Sequence, residues 1–165
     1  MTEGVIYMDQ LLALLSDDAR LSNAELAAAL SISEEEAAAR VAQYEKEGVI
    51  RGYKTIVDWE KTDRDYVSAR IELKVVPKKG MGFEEIAEII ARFDEVESVY
   101  LMSGGCDIAL NVSGRSFKDI AMFVAHRVST LESVQSTSTS FVLRTYKEMG
   151  VLVDAEEKDE REARL

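Results

Sequence analysis

FEEIAEIIA, residues 83–91, recurs in altered form as FKDIAMFVA at residues 117–125. Both segments follow the pattern F-x-x-I-A-x-x-x-A, which places their apolar residues on one face of a helix. An alternating run at residues 67–76 precedes the first segment and an apolar run at 99–102 follows it; the second lies between residues 108–112 and a long strand near 137–146. Because each helix lies between two strands, the repeat predicts a ferredoxin-like βαββαβ domain with both helices on one face of a four-stranded antiparallel sheet.

The predicted strands carry apolar residues on both alternating sets, for example Val99 beside Tyr100 and Phe141 beside Val142. We therefore expect the face without helices to be apolar in part. Packing two such faces together would remove them from water, so a homodimer is predicted.

The N-terminal part predicts three helices and a strand. An i, i+3, i+4, i+7 apolar spacing from Met8 places the first helix between about residues 9 and 18. Capping-box patterns at Ser22 to Glu25 and at Ser33 to Glu36 open the next two helices, and a glycine at position 48 ends the last one. The β-branched run that follows suits a wing or an extended arm, and residues 1–58 are predicted to form a winged helix-turn-helix in an α+β chain.

The chain divides further by composition. Residues 59–65 are dense in charge and lack apolar periodicity, which is typical of a linker. Residues 66–150 contain the repeat and form the predicted second domain. Residues 151–165 are mostly charged, and we expect a solvated tail there.

Composition argues against several functions. The net charge of −11, with 31 acidic against 20 basic residues, opposes nonspecific binding to nucleic acid. One cysteine, Cys106, and one histidine, His126, argue against a metal site. No nucleophile, base and orienting group occur with supporting spacing, so neither an enzyme nor a cofactor is expected. Without a long apolar run or a signal-peptide pattern, the protein is predicted to be cytoplasmic, with no membrane partner.

Polar residues on and near the third predicted helix are candidates for contacts with double-stranded DNA. Arg40 and Gln43 could donate to base edges, and glutamates at positions 34–36 would favour the helix dipole but repel phosphate. The full candidate set is Arg20, Ser33, Arg40, Gln43, Lys46, Arg51 and Lys54.

Two polar segments of the second domain are open to two interpretations. The run SGGCD at residues 103–107 could expose backbone amides to a carboxylate and offer Asp107 to an ammonium, as a free amino acid requires, or it could be a simple turn. The run STSTS at residues 136–140 could bond a ligand, or it could be polar strand surface. Alternation places Thr137 and Thr139 on one face of the strand and the serines on the other.

Two stretches resemble the Lrp/AsnC, or feast/famine, family of transcriptional regulators. They are LALLSDDARLSNAELA at residues 12–27 and RVAQYEKEGVIRGY at residues 40–53. The second half resembles that family's RAM domain, with matching glycines before Asp107 and matching Thr137 and Thr139. The resemblance covers about residues 8–148.

The resemblance implies a ligand-responsive DNA-binding regulator whose RAM domains form dimers and often octamers. In this family a small effector, commonly an amino acid, binds between dimers near the glycine loop. Carried over to this chain, the effector residues are Ser103, Gly104, Gly105, Asp107, Thr137 and Thr139. Two departures are Cys106, where an aromatic residue is common, and the acidic start of the recognition helix. The second departure leaves an alternative: a metabolite-sensing or assembly protein with weak or absent DNA binding.

Overall fold

The computed structural model describes residues 9–78 and 82–153. The chain forms two compact units, the first ending at Thr55 and the second beginning at Ile56. The sequence places this boundary slightly later, after residue 58. Met8 of the first predicted helix and residues 154–165 of the predicted tail lie outside the described residues.

The first unit contains α1 (Gln10–Asp17), α2 (Asn23–Leu30) and α3 (Glu34–Lys46). The predicted capping box at the start of α2 is present: the Ser22 hydroxyl accepts the Glu25 amide, and the Glu25 carboxylate accepts the Ser22 amide at 2.7 Å. At the start of α3, the Ser33 hydroxyl accepts the Glu36 amide at 3.1 Å. After α3, Gly48 takes a φ of +71°, a left-handed conformation that favours glycine.

Replacing Ser22 with alanine should lower the free energy of unfolding of the first unit by about 1 kcal/mol, because the Glu25 backbone amide loses its cap. Urea unfolding followed by circular dichroism measures this change. Ser16, exposed within α1, provides a control, since Ser16→Ala should change stability by less than about 0.5 kcal/mol. Equal losses in the two variants would contradict the assigned cap.

The core of the first unit is small. Leu26, Ala27 and Ala37 are buried at the contact between α2 and α3. Partly buried side chains surround them: Leu14, Leu15, Leu21, Ile32 and Val41. A polar contact joins α1 to α3, because the Tyr44 hydroxyl donates to the Asp9 carboxylate at 2.6 Å. This hydrogen bond lowers the pKa of Asp9 and raises the pKa of Tyr44.

The predicted strand after α3 is absent, since residues 51–58 form no strand in the described part of the chain. The β-branched residues are present, but a strand also needs a hydrogen-bonding neighbour. Within the described residues of one subunit no segment pairs with this stretch. The prediction of a wing strand is therefore wrong for the single chain.

The predicted linker is packed rather than free. Residues 59–61 form a 3₁₀ turn, and the Trp59 ring stacks on Tyr66 with centroids 5.4 Å apart. The Arg64 guanidinium lies 4.7 Å from the centre of the Trp59 ring. The Tyr66 hydroxyl donates to Glu97 at 3.4 Å, and burial is the main cause that raises the pKa of Tyr66. The linker was predicted from its many charged residues. That criterion misses this cluster, because the cluster is stabilised mainly by the contact of two aromatic rings.

The second unit has the predicted βαββαβ order. Its elements are β1 (Val67–Val75), α4 (Phe83–Ile90), β2 (Val96–Leu101), β3 (Ile108–Gly114), α5 (Phe117–Phe123) and β4 (Val134–Phe141). A π-helical turn, Val124–Val128, extends α5. The strands pair antiparallel in the order β2-β3-β1-β4. This arrangement confirms the ferredoxin-like fold inferred from the repeat.

The last strand differs from its prediction at both ends. It starts at Val134 and ends at Phe141, which pairs with Ala69. Beyond that point the Val142 amide still donates to Ser68, which is the second residue of β1. The chain turns into a short hairpin of β5 (Lys147–Glu148) and β6 (Val151–Leu152), so the predicted tail begins inside a hairpin.

The main core lies between the sheet and the two helices. From β1 it takes Ile71 and Leu73, and from α4 it takes Ile86 and Ile90. Val99 and Phe141, cited above as a sign of an apolar open face, also pack against this core.

The other face of the sheet is largely polar. Its residues, read from the pairing of the strands, are Ser68, Arg70, Glu72, Lys74, Ser98, Tyr100, Ala109, Asn111, Ser113, Ser136, Ser138 and Ser140. Tyr100 and Ala109 are its apolar members, so this face is apolar in part, as expected, but it is less apolar than the strand sequences suggest.

Candidate functional site: recognition helix and glycine loop

A polar stripe runs along the exposed side of α3. Glu36, Arg40, Gln43 and Glu47 are spaced by four, three and four residues, which places them on one helix face. Arg40 Nη2 lies 2.6 Å from Glu36 Oε1, and Gln43 Nε2 donates to Glu47 Oε1 at 2.8 Å. Both side chains predicted to contact bases are therefore engaged by carboxylates of their own helix.

The other predicted DNA-binding residues have different positions in the first unit. Ser33 acts as the cap of α3, so its hydroxyl is already used. Arg51 folds back towards Gly48, where a β-carbon would lie 3.0 Å from the guanidinium carbon. The remaining members are exposed at three separate positions: Arg20 after α1, Lys46 in the last turn of α3, and Lys54 near the end of the unit.

Sequence reasoning missed a third carboxylate contact of α3. The Tyr53 hydroxyl donates to Glu45 at 3.0 Å, and partial burial together with this bond raises the pKa of Tyr53. Tyr53 belongs to the GVIRGY stretch at residues 48–53. This stretch resembles the regulator family named above, but the resemblance assigned no role to the tyrosine side chain. Tyr53 lies beyond the end of α3, in a stretch without helix or strand, so no helical pattern signals the contact.

The glycine loop presents an open backbone. Gly104 has a φ of +153°, and a β-carbon on either Gly104 or Gly105 would meet no atom within 4 Å. Ser103 is exposed, whereas the Cys106 side chain is buried beside the loop. The backbone of this loop is therefore accessible to a ligand from outside the subunit.

Asp107 fixes this loop to the sheet. Its carboxylate accepts the Val75 amide at 2.9 Å and lies 3.5 Å from the Lys74 ammonium. Its own amide donates to Leu73, and its carbonyl accepts from Met102. The expectation of a carboxylate open to a ligand's ammonium needs revision, because this carboxylate already has a backbone donor and a lysine.

Thr137 and Thr139 are half-buried on the helix-covered side of the sheet, since they pair with the core residues Ile71 and Leu73. Lys74, the partner of Asp107, alternates with these core residues and belongs to the opposite face. Within one subunit the Asp107 side chain and the two threonine side chains therefore lie on opposite faces of the sheet.

The described ranges, 9–78 and 82–153, contain no group of three or more His, Cys, Asp or Glu side chains that could hold a metal ion. In the same ranges no helix has both the length and the apolar character needed to cross a membrane.

Two family models match the chain. Residues 10–51 match a winged helix-turn-helix DNA-binding model, and residues 68–152 match the Lrp/AsnC ligand-binding domain. The chain belongs to the Lrp/AsnC family. This Lrp/AsnC chain is a DNA-binding transcriptional regulator with a ligand-binding domain, as the resemblance implied.

Relatives that are similar to the Lrp/AsnC chain over nearly its whole length are named as transcriptional regulators. It is 42% identical over 153 residues to YugG, an uncharacterised HTH-type transcriptional regulator of Bacillus subtilis, covering 92% of each chain. Its structure superposes on E. coli AsnC with a TM-score of 0.65 and 26% identity, covering 86% of this chain and 95% of that one.

One further solved structure shares the fold. It is the transcriptional regulator NMB0573 of Neisseria meningitidis in complex with L-Met, with a TM-score of 0.68 and 24% identity, covering 88% of this chain and 94% of that one.

Proposed function

We propose that this regulator binds operator DNA through α3 and that an amino acid bound at the RAM domain controls this binding. The observation that carries the proposal is the glycine loop, whose exposed backbone is held against the end of β1 by Asp107. Backbone amides in such a loop suit the carboxylate that every free amino acid has. The L-Met complex of NMB0573 supports this class of effector.

The proposed effector site needs more than one subunit. Ser103, Gly104 and Gly105 supply the amides, and Asp107 positions them. Thr137 and Thr139 lie on the other side of their own sheet, so we assign them to a neighbouring subunit's contribution. Such sharing fits a homodimer that assembles further, as far as an octamer, and it links ligand binding to assembly.

Each candidate amino acid can be titrated into the purified protein while light scattering records its mass. We expect one or a few amino acids to shift the mass. We expect Gly105→Val to remove the shift by covering the loop amides, because Gly105 has no positive φ and a β-carbon there meets no atom within 4 Å. A mass that no amino acid changes, together with absent binding by calorimetry, would refute the proposed effector class.

DNA binding by this cytoplasmic regulator should depend steeply on salt. The exposed cations assigned to phosphates are Lys46, Lys54 and Arg20. For a protein with several phosphate contacts, raising the salt from about 50 to about 200 mM lowers the affinity for DNA by about 10³-fold. A labelled fragment of the region upstream of its own gene provides the probe. Lys54→Ala should weaken binding and flatten the salt dependence, whereas Lys118→Ala, in the second unit, should do neither.

The alternative function is a metabolite-sensing or assembly protein that does not use DNA. One observation favours it: Arg40 and Gln43 are both occupied by glutamates. The two functions differ in a direct test. Amino-acid binding without any shift of the upstream fragment at low salt would select the alternative and would reject DNA binding.

A further inference from the structure

The Glu36–Arg40 pair presents donors and an acceptor side by side. Arg40 uses one of its N–H groups on Glu36 at 2.6 Å, and its other N–H groups have no hydrogen-bond partner among residues 9–78 and 82–153. Among the described residues Glu36 Oε1 accepts this hydrogen bond alone, so it keeps a second lone pair that can accept another. Both side chains are about half exposed, at 43% and 48%.

The major groove offers a matching pattern at only one kind of base pair. A G·C pair shows two acceptors, guanine N7 and O6, followed by a donor, the cytosine N4 amino group. An A·T pair shows acceptor, donor, acceptor. Two guanidinium donors followed by a carboxylate acceptor therefore complement G·C, whereas at A·T the second arginine donor would face the adenine amino group.

We propose that Glu36 and Arg40 read one G·C base pair as a unit, which rests on the proposed binding of DNA through α3. Arg40 donates to guanine, and Glu36 accepts from the N4 amino group of the paired cytosine. This assigns to Glu36 a role in specificity in place of a purely repulsive one.

The spacing fits this assignment. Guanine O6 and cytosine N4 are joined by a Watson–Crick hydrogen bond, so they lie about 2.9 Å apart. Arg40 Nη2 and Glu36 Oε1 are separated by 2.6 Å, so each can face one of the two base atoms. The pair also lies towards the start of α3, the end of a recognition helix that reaches base edges in helix-turn-helix proteins.

The charge of the pair favours contact with the base edges by Glu36 and Arg40 together over a contact by Arg40 alone. The Glu36–Arg40 pair is neutral, so it gains little from phosphate and must gain from the bases. The second pair on the stripe, Gln43 with Glu47, lies nearer the end of α3 and carries a net negative charge. Glu47 is therefore a control: it has the same side chain, it also accepts a hydrogen bond from a residue four positions away, and it lies at the other end of the helix.

The test begins with a duplex selected by the wild-type protein from a randomised pool. Each cytosine of the selected site is then replaced, one at a time, by N4-methylcytosine. The methyl group occupies the groove-facing donor position, while Watson–Crick pairing and the guanine edge stay in place. Wild-type protein, Glu36→Ala and Glu47→Ala are compared on every duplex.

We expect methylation of one cytosine per half-site to weaken wild-type and Glu47→Ala binding by about 10-fold, the loss typical of a hydrogen bond to a charged group. Glu36→Ala should bind methylated and unmethylated duplexes equally. Wild-type binding that is indifferent to every methylation, or a Glu36→Ala protein that stays sensitive, would overturn the assignment while DNA binding itself stands. Failure of the wild-type protein to select any duplex would overturn both.

Discussion

Replacing Leu26 with alanine should abolish DNA binding by unfolding the first unit, while the second unit stays folded. Leu26 is only 1% exposed, and the cluster around it contains just two other buried residues, Ala27 and Ala37. Truncating a buried leucine costs about 2–5 kcal/mol. A helical unit of this size has little stability to lose, so that loss is comparable to its whole free energy of unfolding.

Amide hydrogen exchange can resolve the two units in one sample. In Leu26→Ala, protection should vanish in α2 and α3 and persist in β1 and β3. Leu30→Ala provides the matched control, because Leu30 lies on the same helix but is only partly buried. Equal loss of protection in both units would show that they unfold together and would contradict the prediction.

Replacing Asp107 with alanine should lower the free energy of unfolding of the second unit by about 1.5–3 kcal/mol and remove effector binding. The substitution leaves the Val75 amide, in a residue only 6% exposed, without its acceptor. An unsatisfied buried donor carries the full penalty of its lost solvation. Because Asp107 also determines where the loop lies, the amides of Gly104 and Gly105 would no longer hold one arrangement.

Two further substitutions separate the contacts of Asp107. Asp107→Asn keeps an oxygen for Val75 and should recover most of the stability. Lys74→Ala removes only the ion pair, and since that lysine is about half exposed, the change should be within about 1 kcal/mol. Chemical unfolding and calorimetric titration measure both effects. A loss in Lys74→Ala as large as in Asp107→Ala would show that the ion pair, and not the backbone bond, holds the loop.

The parts of the fold that could be predicted are those encoded by neighbouring residues. The capping box at Ser22, the helix stop at Gly48 and the duplicated helices each depend on a few consecutive letters. The sheet order follows from the duplication, because two linked strand-helix-strand units have few ways to pair. Family membership came from the same kind of local evidence, in the GVIRGY stretch and the glycines before Asp107.

The features that could not be predicted depend on contacts between distant residues. The bond from Asp107 to Val75 spans 32 positions, and the stack of Trp59 on Tyr66 needs the packed connector to exist first. Residues 51–58 show that a local pattern can also predict too much. Their β-branched residues favour a strand, but no neighbouring segment is present to pair with it. The candidate effector residues were found by resemblance, and only the pairing of β1 with β4 places Thr137 and Thr139 on the opposite face of the sheet from the Asp107 side chain.

The packed connector also decides where this protein can be shortened. A fragment that begins directly after the charged stretch, at Tyr66, would lose Trp59 and Arg64 and would leave one face of the Tyr66 ring bare. A fragment that begins at Ile56 keeps all three side chains. An isolated second domain, for crystallisation or for ligand screening, should therefore begin at Ile56 so that it includes the residues that pack on Tyr66.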